Sequence, residues 1–211
     1  MLKGKEIVLG VTGGIAAYKA VELLRLFTKA GAKVRVVMTR EAKEFVAPLT
    51  FQTLSMNPVY TDMFSLISER DIGHISLADR ADLLVIAPAT ANIIGKLASG
   101  IADDLLTTTV MATKAPVLIA PAMNVNMYRN SVYRENEDKL RRHGFLFVEP
   151  AVGMLAGNNL RGVSFCSFAQ GPCRGEYPGN GGPDPRRARS GPFYQQPFFR
   201  KDGLRTCQGG F

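Results

Sequence analysis

Residues 6–19 read Glu-Ile-Val-Leu-Gly-Val-Thr-Gly-Gly-Ile-Ala-Ala-Tyr-Lys. An apolar run, Glu6–Val11, predicts a buried strand. The pair Gly13-Gly14 predicts a tight turn, and the spacing of Ala17, Ala20, Val21, Leu24 and Phe27 predicts a helix over Ala16–Ala30, stopped at Gly31. Glycine lets backbone come close to an anion, and the first turn of a helix presents unpaired N–H groups with partial positive charge. The stretch therefore reads as a strand–turn–helix unit with a phosphate site at its bend. It lacks the G-x-G-x-x-G order of a dinucleotide fingerprint and the Gly-Lys-Ser/Thr end of a P-loop.

Outward from this unit the pattern repeats. Lys33–Met38 is a β-branched run interrupted by Arg35, Leu83–Ala87 and Val117–Ala120 are continuous aliphatic runs, and Phe145–Val148 is a further apolar run. Such runs suit parallel strands covered on both faces. Asn92–Ala98 and Ser131–Arg142 have helical spacing. Alternating strands and helices predict an α/β fold: one doubly wound, Rossmann-like or flavodoxin-like parallel sheet in three layers, with ligands outside the carboxyl ends of the strands.

The residues at those ends are therefore the candidates. Thr39 closes the second strand and can cap the next helix or bond a phosphate; by itself the cap is favoured. Ala87-Pro88-Ala89-Thr90-Ala91-Asn92 leaves the third long run abruptly, with Thr90 and Asn92 able to cap or bind. In Pro121-Ala122-Met123-Asn124-Val125-Asn126-Met127, Asn124 carries a donor and an acceptor suited to a carboxylate, or else forms a turn. The chain has two histidines. His143 precedes Gly144 at a helix end and reads as structural. His74 follows Gly73 in a loop before a helix-like stretch, where an imidazole can act as general acid or base near neutral pH.

The chain changes character near residue 157. Residues 157–211 hold 11 of the 21 glycines and 6 of the 12 prolines, with no sustained period, and read as irregular or disordered tail after a folded domain over 1–156. Eight Lys/Arg against three acids in that tail supply most of the net charge of +8. The remainder is nearly balanced and implies no nucleic-acid partner. All three cysteines (Cys166, Cys173, Cys207) lie in the tail without zinc-ligand spacing. No run of eighteen apolar residues predicts a membrane span, and Met1–Glu6 has no secretion-signal order, so the expected compartment is the cytoplasm.

Taken together, Gly13–Lys19, Gly73-His74-Ile75-Ser76-Leu77, Ala87–Asn92, Gly100–Thr108 and Pro121–Met127 resemble the homo-oligomeric flavin-containing cysteine decarboxylases. The resemblance covers residues 1–156. The Ala-Tyr-Lys extension and the complete PAMNxxM pattern point to the phosphopantothenoylcysteine decarboxylase branch.

This resemblance implies an FMN-dependent carboxy-lyase of coenzyme A biosynthesis acting on 4′-phosphopantothenoylcysteine. FMN takes a hydride equivalent from the cysteine side chain, the resulting thioaldehyde assists loss of carbon dioxide, and the electrons return to give phosphopantetheine. It implies His74 as acid/base beside the flavin, Asn124 as holder of the substrate carboxylate, and Met127 as pocket wall. Thr12, Gly13, Gly14, Thr39 and Thr90 would address the FMN phosphate and ribityl chain, with Ile15, Ala16, Pro88, Ala89 and Asn92 beside them. It also implies a homotrimer or a multiple of it, with sites at subunit contacts.

One position departs from the family. After Gly153-Met154-Leu155-Ala156 the family has a cysteine, its proton donor, followed by a substrate-covering flap; this chain has Gly157. FMN binding with little or no turnover is the expectation. Phe193–Gly210 reads FYQQPFFRKDGLRTCQGG. Read one nucleotide later, one allowed codon set gives SINNRSSGKMGYALAKA, which resembles the nucleotide-binding loop of phosphopantothenate–cysteine ligase, the domain fused downstream in bifunctional bacterial enzymes. A frameshift near codon 157 is the reading of the tail. The alternatives are a non-catalytic FMN-binding flavoprotein or partner subunit, and a nicotinamide-dependent oxidoreductase. The last needs an acidic residue ending the second strand, where Thr39 stands.

Overall fold

The computed structural model describes residues 2–63, 73–149, 151–154 and 161–164, all within the first of two units, Met1–Gly175. Gly157 and the three cysteines lie outside the described residues.

Six parallel strands form the main sheet in the order β3-β2-β1-β4-β5-β7. They are β1 (Glu6–Val11), β2 (Lys33–Met38), β3 (Val59–Tyr60), β4 (Leu83–Ala89), β5 (Val117–Pro121) and β7 (Leu146–Phe147). Because side chains alternate across a strand, each strand supplies both cores. Ile7, Leu9, Val34, Val36, Met38 and Val85 pack against α1 (Ala17–Lys29) and Phe51 of α2 (Pro48–Ser55). Val8, Val37, Leu84, Ile86, Val117 and Ile119 pack on the other face. There they meet α3 (Gly73–Arg80), α4 (Ala91–Ala98), α5 (Leu105–Ala112) and α7 (Ser131–Arg142). This is the expected three-layer, doubly wound arrangement.

Local chemistry sets the ends of these elements. Gly31 takes φ +86° after α1, and the amides of Gly31 and Ala32 return to Thr28 and Phe27, closing the helix with a left-handed glycine. Asp104 caps α5 in a reciprocal box: its carboxylate accepts from the Thr107 amide at 2.8 Å while the Thr107 hydroxyl accepts from the Asp104 amide at 3.2 Å. The Ala87–Pro88 peptide is cis, and the β4–β5 register shifts between Ile86 and Ala89.

A second, three-stranded sheet joins β6 (Met123–Asn124), β9 (Arg161–Ser164) and β8 (Ala151–Met154) in antiparallel order β6-β9-β8. Of residues 157–211, where the expectation was an irregular tail, the described ones are Arg161–Ser164, which form β9. Backbone pairing is nearly indifferent to side-chain identity, so a segment without hydrophobic period can still complete a ladder. Gly73-His74, read as a loop, is the first turn of α3. Among the described residues, no helix is long and apolar enough to cross a membrane.

Candidate functional site

The strand order reverses between β1 and β4, the two strands that begin chain excursions in opposite directions. At such a switch point the loops splay apart and leave a crevice beyond the carboxyl ends of the strands. A cleft of about 360 Å³ lies there. Its lining comes from the turn after β1 (Thr12, Gly13, Gly14, Ile15, Ala16) and the end of β2 (Thr39, Glu41). The rest comes from the turn after β4 with α4 (Thr90, Ala91, Asn92, Ile93, Lys96), from Asp104, and from the segment after β5 (Ala122, Met123, Asn124, Met127).

Thr12 stitches the two sides together. Its buried hydroxyl donates to the Pro88 carbonyl at 2.7 Å and accepts from the Thr90 amide at 3.1 Å. Gly13 is packed against the short 3₁₀ turn Arg40–Glu44: a Cβ there would lie 2.8 Å from the Glu41 carbonyl carbon. Only glycine fits between those two loops. The amides of Gly13, Gly14, Ile15 and Ala16 find no protein acceptor among the described residues, so the entry to α1 presents free N–H groups to the cleft.

The expected cap at Thr39 is absent. Thr39 precedes the 3₁₀ turn but makes no side-chain cap bond, and its hydroxyl oxygen is buried with no partner. A buried hydroxyl without a partner is costly unless a ligand supplies one. Thr90 does cap: its hydroxyl accepts from the Ile93 amide at 3.5 Å. Asn124 caps as well. Its Oδ1 accepts from the Asn126 amide at 2.8 Å, which commits the carbonyl end of the side chain and leaves Nδ2 as the donor end.

Three candidates from the sequence do not line the cleft. Pro88 and Ala89 form the wall behind it: Pro88 offers its carbonyl to Thr12, and fully buried Ala89 accepts from the Ala122 amide at 2.9 Å. His74 is half-buried in the first turn of α3, with a buried Nδ1 that has no partner. It is not among the lining residues of the cleft in its own chain.

Conversely, sequence reading missed Glu41, Lys96 and Asp104. Their signal was faint, because each is a charged residue near the end of an element, where charge ordinarily faces solvent. The Glu41 carboxyl is held below its ordinary value by its own backbone N–H and by Arg40. Lys96 reaches Asp103 at 2.7 Å and Asp104 at 3.1 Å, contacts that raise the ammonium's pKa and, through Lys96, lower that of Asp103.

The Flavoprotein family model matches residues 1–163. The bifunctional coenzyme A biosynthesis protein CoaBC of Bacillus subtilis is 54% identical over 156 residues, which are 74% of this chain and 38% of that protein. The CoaBC protein of Vibrio cholerae is 53% identical over 155 residues, 74% of this chain and 39% of that protein. The chain thus spans about two fifths of the length of these curated relatives. Among solved structures, a PPC decarboxylase mutant complexed with pantothenoylaminoethenethiol superposes with a TM-score of 0.70 at 31% identity, covering 78% of this chain and 93% of that one. The FMN-binding protein AtHal3 gives 0.69 at 32% identity, over 79% and 92% of the two chains. With its parallel sheet, its crevice at the switch point and a match that takes in every residue lining that crevice, this chain belongs to the Flavoprotein family.

Proposed function

We propose that this chain is an FMN-binding domain of the phosphopantothenoylcysteine decarboxylase type, able to hold flavin and substrate but deficient in turnover. The observation that carries the reading is the uncharged anion receptor at the entry to α1. Free amides of the Gly13–Ala16 turn and the unpartnered Thr39 hydroxyl face one cleft, beside a glycine position that no larger residue could occupy. Such a receptor fits the phosphate of FMN. When bound, FMN supplies the hydride acceptor and donor of the reaction.

The chain's own groups have distinct tasks in this reading. Thr12 fixes the spacing of the two loops, while Thr90 and Asn92 line the opposite wall. Asn124 offers Nδ2 to the substrate carboxylate, its orientation set by the Oδ1 cap, and Met127 bounds the same end. His74 is the acid/base group. Because it stands outside its own chain's cleft, its place is at the cleft of a second copy in a homo-oligomer, a trimer or a multiple of it. Exposed Ile15 and Met127 of the cleft lining support such a contact. With Gly157 in place of the family's cysteine, the final protonation has no donor.

Purified protein should carry oxidised flavin with the chain and run as a trimer or a multiple of it. Mixed with 4′-phosphopantothenoylcysteine it should release little carbon dioxide. Colourless protein that stays so with excess FMN refutes the cofactor assignment; rapid release of phosphopantetheine refutes the deficiency.

The match to CoaBC spans 156 residues, 74% of this chain, which supports a frameshift near codon 157. Sequencing the gene across that codon decides this, an intact frame through the stop being the contrary result.

A further inference from the structure

We infer that the cleft takes the flavin phosphate as its monoanion, with the phosphate hydroxyl donating to the Glu41 carboxylate. This rests on the FMN reading above and concerns the charge state in which the cofactor is recognised.

The argument begins with what the phosphate end of the cleft lacks. Its anion receptors are backbone N–H groups and one hydroxyl, none of them charged. The only charged side chain lining that end is an acid, Glu41, whose backbone packs directly on Gly13. Among the described residues, Lys96 is the single Lys or Arg of the lining, and it is already engaged by Asp103 and Asp104 on the α4–α5 side.

The surrounding charges do not reverse this balance. Arg40 holds Glu41 Oε1 at 3.2 Å but is 87% exposed and does not line the cleft. Lys43 and Glu44 on the same 3₁₀ turn, and Tyr18, Lys19 and Glu22 on α1, are outside the lining too. The β4–α4 turn, Thr90 to Asn92, brings no ionisable group.

A phosphate monoester loses its second proton with a pKa of about 6. A dianion would therefore meet an ionised carboxylate whose cationic neighbour, Arg40, is exposed and stands outside the cleft lining, and like charges raise the pKa of the weaker acid. Keeping the proton replaces that repulsion with a charge-assisted O–H···O⁻ hydrogen bond. Glu41 is the acceptor in that pair because its own backbone N–H and Arg40 keep it ionised.

Riboflavin, which lacks the phosphate, isolates the effect. Affinities of the full chain for FMN and riboflavin should be measured between pH 5.5 and pH 8, for wild type and Glu41→Gln. The wild-type preference for FMN should fall by roughly 25-fold between pH 6.5 and pH 8, the size expected when only the monoanion of a group with pKa near 6 binds. Glu41→Gln should flatten that slope and bind FMN more tightly than wild type at pH 8. The ³¹P resonance of FMN bound to wild type should titrate above its free value. A wild-type preference that is flat or rises with pH, an unchanged slope in Glu41→Gln, or an unshifted ³¹P titration overturns the inference while leaving FMN binding intact. Failure of both flavins to bind removes the parent reading and this one together.

Discussion

The Thr12 hydroxyl donates to the Pro88 carbonyl across 2.7 Å although the two residues are 76 positions apart. That bond, with the Thr90 amide returning to the same oxygen, joins the tips of β1 and β4 where the sheet changes direction.

Replacing Thr12 by Val keeps the shape but leaves a buried carbonyl and a partly buried amide without their partner. The expected loss of stability is about 1–3 kcal/mol, and Thr12→Ser should recover most of it. Urea unfolding of the three proteins checks this. Equal stability of wild type and the Val variant would show that the loops are held together by other contacts.

Gly13 leaves no room for a side chain beside Glu41. In Gly13→Ala the methyl group meets backbone, which cannot rotate aside, so the two loops must separate. FMN affinity should fall at least about ten-fold, equivalent to 1.4 kcal/mol, while circular dichroism stays that of the wild type. Gly14→Ala is the control. Its methyl would have Thr90 Cγ2 at 3.7 Å, an ordinary contact, so any loss there reports crowding of the ligand rather than of the protein.

Gly10 lies beneath α5. A Cβ at Gly10 would be 2.5 Å from Leu106 Cδ1, and Leu106 is 1% exposed. Gly10→Ala should cost about 1–3 kcal/mol by overpacking. Leu106→Ala alone should cost about 2–5 kcal/mol by opening a cavity. Since each change relieves the defect of the other, the double variant should be more stable than the sum of the single losses predicts. Strict additivity in a denaturation cycle would contradict the close approach of α5 to β1.

Asp82 accepts from Lys5 Nζ at 2.7 Å and from the Glu6 amide at 2.8 Å, tying the start of β1 to the residue before β4. The Lys5 bond first, then the Glu6 amide, hold its carboxyl below the ordinary value of 3.8. A depressed carboxyl stabilises the fold above its unfolded pKa, and the contribution disappears as pH falls through the folded value. The stability difference between wild type and Asp82→Asn should therefore be constant above about pH 5 and shrink as pH falls below 3.8 and through the lowered folded value. Thermal melts across pH 2–7 test the sign. A difference that grows on acidification would reverse the assignment.

Much of this architecture was legible because the sheet is covered on both faces. Val36–Met38, like Leu84–Ala87, are buried on successive positions, so these strands announce themselves as apolar runs. The helix α5 was not legible. Leu105–Ala112 contains three consecutive threonines, a β-like composition, yet the Thr108 and Thr109 hydroxyls donate back to the carbonyls of Asp104 and Leu105 at 2.8 and 2.7 Å and the segment stays helical. The two-residue strands β3 and β6 carry too few side chains to show any period.

The binding residues divided along similar lines. Glycines and hydroxyls at strand ends could be found, since a turn next to a long apolar run has a fixed place in a doubly wound sheet. Glu41, Lys96 and Asp104 could not, because the separation along the chain conceals that α4, α5 and the 3₁₀ turn border one crevice. His74 shows the opposite limit: its motif was conspicuous, but proximity to the crevice of its own chain did not follow from it.

Among the described residues, every side chain bordering the crevice is supplied by position 127 or earlier, and the last strand of the large sheet ends at Phe147. On the proposed function, changes to the chain beyond that point subtract chemistry without subtracting recognition. A chain of this design would then compete with its relatives for the same ligand and hold it unproductively wherever both are made.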